Sequence, residues 1–226
     1  ALAKAKRGDF SGIPALIELA AGDTHPTNRR LCAELLGDAG PASAVDAIAG
    51  RLSSGEPSFE LTLAWSSVLM RRGRLSDVPI VLAAFEQVAE IRDADILAVH
   101  ISECLESGYD LADPQDHRSF AHYRHAVLAR CAELADRYGS DEVLLDAGER
   151  LSVNGLARRT LERLREPYFP CELRRRFECA TGIDCSSFYN RRAFNPMAAT
   201  ALLEDFLKGA TAHEDGVRCF FGHRIP

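Results

Sequence analysis

Apolar positions recur with helical spacing along most of this chain, and residues 26–52 show the pattern at its clearest. Leu31, Cys32, Leu35 and Leu36 form one stripe; Ala44, Val45, Ile48, Ala49 and Leu52 form a second. Between them Gly37, Gly40 and Pro41 stop one helix and start the next, because Gly suits a left-handed C-terminal position and Pro suits a first helical turn. Two short helices around a tight corner cannot cover both stripes alone, so the pattern demands packed neighbours on either side.

The rest of the chain supplies them. Ile13, Leu16, Ile17 and Ala20 predict a helix over 13–21 behind Ser11 as N-cap. Leu61, Ala64, Trp65, Val68 and Leu69 predict one over 57–72, opened by Pro57 and closed by Gly73. Further helices are predicted over 77–90 and 94–107, and a strong one over 118–138 with Phe120, Tyr123, Val127, Cys131, Leu134 and Tyr138 inward. Residues 141–151 and 155–165 read as a pair around Asn154-Gly155, and 172–180 as helical. Residues 183–195 have no clear period, Asn195-Pro196 opens a last helix that Gly209 stops, and the tail 217–226 is expected to be extended. Helix starts near 13, 43 and 77 give a repeat of roughly 30–34 residues, the signature of a solenoid.

A family resemblance rests on this corner. Leu36-Gly37-Asp38 with Gly40, followed by Ala44-Val45 and Ile48, resembles the short HEAT-like repeat, with Arg29 and Arg30 where that family carries arginine before the corner. It spans residues 8–107 and implies an architecture, since one fold hosts many functions. The expected fold is all-α: a right-handed superhelix of four to five HEAT-like hairpins forming one domain over 1–226. Its clearest repeats lie in 8–107, longer helices in 118–180 and an irregular cap in 183–226.

Composition changes the picture mainly through charge. No apolar run approaches the ~20 residues that cross a bilayer, and the first residues lack the apolar core of a secretory signal. Cys32, Cys104 and Cys131 fall on apolar stripes, as reduced cysteines do, so a cytoplasmic protein is expected. Residues 77–116 hold ten acids against one arginine, whereas 158–192 hold nine arginines against five acids. The overall charge is −6.

Reactive constellations are weak. His122 and His125 share a helix face, but zinc needs three or four ligands and His117 lies off that face. Cys171, Cys179, Cys185 and Cys219 with His213 and His223 contain no C-x-x-C, so no metal and no cofactor is expected. Neither a nucleophile elbow nor a phosphate-cradling loop nor a zinc-protease helix is present, and His100 reads as a core or interface histidine. No enzyme is expected.

Two binding readings follow. The segment Phe188-Tyr189-Asn190-Arg191-Arg192 interleaves aromatics with arginine as single-strand binders do, and alkylpurine DNA glycosylases include HEAT-like proteins. Phe188, Tyr189, Arg191 and Arg192 would then contact nucleic acid, against a net charge of the wrong sign. The other reading is non-catalytic protein binding through an acidic ridge of Glu86, Glu90, Asp93, Asp95, Glu103 and Glu106, which suits a basic partner. The segments Gly182-Ile183-Asp184-Cys185 and Phe220-Phe221-Gly222-His223-Arg224-Ile225-Pro226 resemble immunity proteins of bacterial polymorphic-toxin systems. That resemblance implies a toxin as the partner.

Overall fold

In the structure, a computed structural model, the residues described are 2–22, 25–55, 58–89, 94–108, 110–114, 118–165, 171–191, 193–209 and 217–225. Among them the protein is mostly α-helical, with three antiparallel pairs of two-residue strands. Its contacts divide into two compact units: a middle unit, Ile13–Arg150, and a terminal unit built from Ala1–Gly12 together with Leu151–Pro226.

The middle unit carries the repeating helices. They are α2 (Ile13–Gly22), α3 (Pro26–Ala39), α4 (Ala42–Ser53), α5 (Phe59–Arg72), α6 (Val78–Val88), α7 (Ile96–Leu105) and α8 (Phe120–Tyr138), numbered after α1 (Leu2–Ala5) of the other unit. Alternate helices are neighbours: α3 lies on α5 and α5 on α7, while α4 lies on α6 and α6 on α8. Helix α5 is the hub, because it also touches α2, α4 and α6. It therefore buries residues round much of its circumference, Trp65, Ser66, Val68, Leu69 and Met70 among them. Ser58 caps its start by accepting the Leu61 N–H, and Gly73 ends it at φ 78 with its N–H on the Leu69 carbonyl.

The corner of residues 26–52 forms as expected, with two details changed. Helix α3 runs through Gly37 and stops at Gly40, whose backbone is extended rather than left-handed. Gly37 has a different task. A Cβ there would stand 2.8 Å from Arg71 Cβ and 3.1 Å from the Val68 carbonyl, so the missing side chain lets α3 approach α5. The buried face of α3 is Cys32, Ala33, Leu36 and Ala39, whereas Leu31 is 43% exposed. Next to Gly37, Asp38 is fully shielded and meets Arg71 at 3.3 Å.

Residues 141–151 are not the helix that their leucines suggest. They form an extended segment with a hairpin, β1 (Leu145–Asp146) and β2 (Glu149–Arg150), paired Leu145 to Arg150 and Asp146 to Glu149. Non-local partners decide this. Leu145 N–H donates to the Gly73 carbonyl at 2.6 Å, and Leu75 N–H donates to Val143 at 3.1 Å. At the hairpin tip Ala147 (φ 54) and Gly148 (φ 74) adopt the two positive-φ positions of a type I′ turn. Their N–H groups donate to the Glu103 and Cys104 carbonyls, both at 2.9 Å, and so cap α7. The Tyr138 hydroxyl accepts the Arg150 N–H at 3.1 Å and holds the hairpin to the end of α8.

In the terminal unit α9 (Val153–Arg163) packs on α10 (Cys171–Thr181) and on α11 (Pro196–Lys208). Asn154-Gly155, expected as a turn between helices, lies in the first turn of α9, where Ser152 accepts the Gly155 N–H at 3.0 Å. Asn195 caps α11 and Gly209 ends it, as its sequence implies. Leu156, Ala157, Phe177, Cys185, Phe188, Ala199 and Leu203 form the core. Two further hairpins follow: β3 (Tyr189–Asn190) with β4 (Ala193–Phe194), and β5 (Cys219–Phe220) with β6 (His223–Arg224).

Candidate partner-binding surface

The acidic ridge is built on α6 and α7. Glu86 projects from α6 and is exposed, with Arg124 of α8 at 2.9 Å. Asp95 is the N-cap residue of α7, but its side chain makes no capping bond and stays exposed beside Ile96, itself 45% exposed. Two turns on, Glu103 is exposed as well. Glu106 does not belong with them. Half-buried at the end of α7, its carboxylate accepts the Ser102 hydroxyl at 2.7 Å and the Leu111 N–H at 2.5 Å, so it clamps the following loop. Glu90 and Asp93 lie outside the described residues. The ridge that remains is Asp95 and Glu103 on α7, with Glu86 beside an arginine.

The excess of carboxylates extends beyond these positions. Residues Ile13–Arg150 hold 23 acidic side chains against 12 arginines, a formal −11; the terminal unit holds 15 basic against 10 acidic, or +5. Several of the acids are spent internally. Asp38 meets Arg71, and Arg74 links Asp46 at 2.8 Å and buried Asp77 at 2.7 Å. Burial raises the Asp77 carboxyl above its ordinary range, which Arg74 opposes.

The arginine-aromatic segment is differently placed from what a strand-binding surface needs. Phe188 is fully buried in the terminal core, which removes it from any surface contact. Tyr189 is half-buried, packed against Phe194 with ring centroids 5.7 Å apart and carrying Arg174 over its face at 5.6 Å. Arg191 is exposed at a positive φ of 48°, and Arg192 lies outside the described residues. The aromatics pin a loop to the last helices.

The histidines and cysteines that the structure describes do not converge on an ion. Among the described residues no three His, Cys, Asp or Glu side chains are placed to share one. His122 Nδ1 sits 2.9 Å from the Ser119 hydroxyl that caps α8. Burial pushes the Cys131 and Cys185 thiols up to about 12 and raises Cys219, which leaves them protonated and poor nucleophiles at neutral pH. His213 and the side chain of Cys171 lie outside the described residues. His100 Nδ1 on α7 is shielded and makes no hydrogen bond; burial, then Arg71, holds the ring down at about 4.

One surface feature has almost no sequence signal. The N-terminal arm lies on the last hairpin: Lys6 Nζ stands 4.4 Å over the Phe221 ring, and His223 packs where a Gly8 Cβ would fall 3.1 Å from Nδ1. Phe221 is 55% exposed at φ 49, a left-handed conformation costing a bulky residue roughly 1–2 kcal/mol. Only Gly222 after an aromatic pair hints at the turn, and nothing in the pattern joins it to residues 6–8.

No family model, no curated protein and no solved structure matches the chain. Fold and surface define a mostly α-helical protein whose formal charge is divided between two compact units. No helix among the described residues is long and apolar enough to cross a membrane.

Proposed function

We propose that this protein is a non-catalytic protein-binding scaffold of the cytoplasm, with the middle unit a right-handed HEAT-like α-solenoid. Its partner on this reading is a basic protein, and the most specific version is an immunity protein that neutralises a bacterial toxin. The single observation supporting it is the formal −11 of a unit built from alternating helix neighbours, with Asp95 and Glu103 exposed on α7. Complementary charge of this kind speeds encounter and selects partners.

The experiment is capture of the partner from the native host by the tagged protein and by its Asp95→Lys/Glu103→Lys variant. A basic protein should be held by the first and lost by the second, with unchanged circular dichroism and melting temperature. Equal capture by both proteins overturns the acidic surface, and a captured partner that is acidic overturns the choice of chemistry.

A further inference from the structure

We infer that the arm-and-hairpin surface carrying Lys6, Arg7, Phe221 and His223 docks on the α7 ridge of a second copy of this chain. Phe221 is the largest exposed aromatic anchor described, and it sits in an unfavourable backbone conformation at a hairpin tip. The Phe220 ring meets it edge-on at 4.8 Å and Lys6 Nζ lies over its face, with exposed Arg7 next to Lys6 in the arm, all on a unit of net +5. An aromatic centre with a charged rim is the arrangement of an interface hot spot.

Charge complementarity selects the occupant. The α7 ridge offers the same two chemistries with the opposite sign: Ile96, 45% exposed, stands between exposed Asp95 and the rest of the helix, on a unit of net −11. Aromatic with cations meets aliphatic with carboxylates. The contact is heterologous, one patch against one ridge, so it can propagate beyond two copies. It also covers the ridge assigned above to a basic partner, which would compete with self-association.

Sedimentation velocity on the intact protein tests this by complementation. The wild type should associate at about 0.01 M salt and dissociate at about 1 M, where the screening length falls from about 30 Å to about 3 Å. Lys6→Glu/Arg7→Glu should weaken association at least roughly tenfold, as should Asp95→Lys/Glu103→Lys, since each turns attraction into repulsion. Phe221→Asn, which keeps a residue tolerant of left-handed backbone, should do the same without loss of fold. A mixture of two further variants, Lys6→Ala/Arg7→Ala and Asp95→Ala/Glu103→Ala, should form a dimer although neither associates alone, because each retains one intact half.

A wild type that stays monomeric at low salt overturns the proposal. So does association that all these variants share, or a mixture of the two alanine variants that remains monomeric. Partner capture by Lys6→Glu/Arg7→Glu is expected to persist, so loss of self-association and loss of the proposed function are read separately.

Discussion

Two glycines inside helices should respond to alanine with opposite signs. Gly37 sits in α3 and Gly50 in α4. In both, alanine gains helix propensity of about 1 kcal/mol. At Gly50 a Cβ meets nothing within 4 Å, so that gain stands alone. At Gly37 the Cβ would press on Arg71 Cβ at 2.8 Å and the Val68 carbonyl at 3.1 Å, neither of them a flexible end that could swing away. Overpacking of this kind costs about 1–3 kcal/mol. Pushing Arg71 also strains its contact with fully shielded Asp38, and a buried carboxylate that loses its partner is costly. Gly37→Ala should therefore lower stability by about 1–2 kcal/mol net while Gly50→Ala raises it by up to about 1. Trp65 is the only tryptophan and is buried on α5, so its fluorescence in a urea titration reports on this unit. At about 1–3 kcal/mol per molar urea the two midpoints should lie on either side of the wild type's at constant slope. Gly37→Ala as stable as wild type would refute the close approach of α3 to α5.

Other substitutions probe the remaining joints. Gly148→Ala should cost about 2–4 kcal/mol, combining a left-handed backbone with displacement of the two N–H groups that cap α7. Gly148→Asn should be nearly as harmful, since its Cβ would strike the Leu105 carbonyl whatever the preference of Asn for that backbone; a neutral Asn variant sinks the capping account. The His100 ring has its pKa lowered from 6.5 to about 4, so the unfolded chain binds the proton first and stability falls as pH drops below about 6.5. By pH 5 that loss approaches about 2 kcal/mol, and His100→Leu should flatten the profile between pH 6.5 and pH 5; an unchanged slope in the variant argues against a buried neutral ring. Phe188→Ala should lose about 3–5 kcal/mol in denaturation followed by circular dichroism, as deletion of a fully buried ring does, and a loss under about 1 kcal/mol would contradict its place in the terminal core.

What could be read from sequence was local. The stripes of α4, α5, α6 and α8, the end of α5 at Gly73 and the Asn195 cap of α11 all depend on residues within two turns of one another. The failures share a cause at longer range. Residues 141–151 read as a helix before the Asn154-Gly155 turn, but the backbone of that segment bonds to Gly73, Leu75, Glu103 and Cys104. Leu31 fitted the α3 stripe by spacing, yet the buried face of that helix is centred on Leu36 and Ala33. Phe188 in an arginine-rich run is offered to nucleic acid only by the alternative reading, and the core of α9, α10 and α11 closes over it. The arm of Ala1–Gly12 belongs with residues at the opposite end of the chain, and no window along a sequence reports that.

The acidic surface has to be weighed by what exposed charge can do. Exposed ion pairs are worth about 0–1 kcal/mol each, because water and salt screen them. A ridge of Asp95 and Glu103 would therefore set encounter rate and partner choice, while most of the affinity has to come from apolar area removed from water. The middle unit has that area next to the charge: Ile96 adjoins Asp95, and Leu128 is 37% exposed on α8, the helix that also carries Arg124 beside Glu86. Carboxylates such as Asp38 and Asp77, shielded and held by Arg71 and Arg74, contribute to the fold and little to a partner. Function by this route separates two populations of acid on one unit, those shielded and held by arginines inside the fold and those exposed on α7, where Ile96 adjoins Asp95.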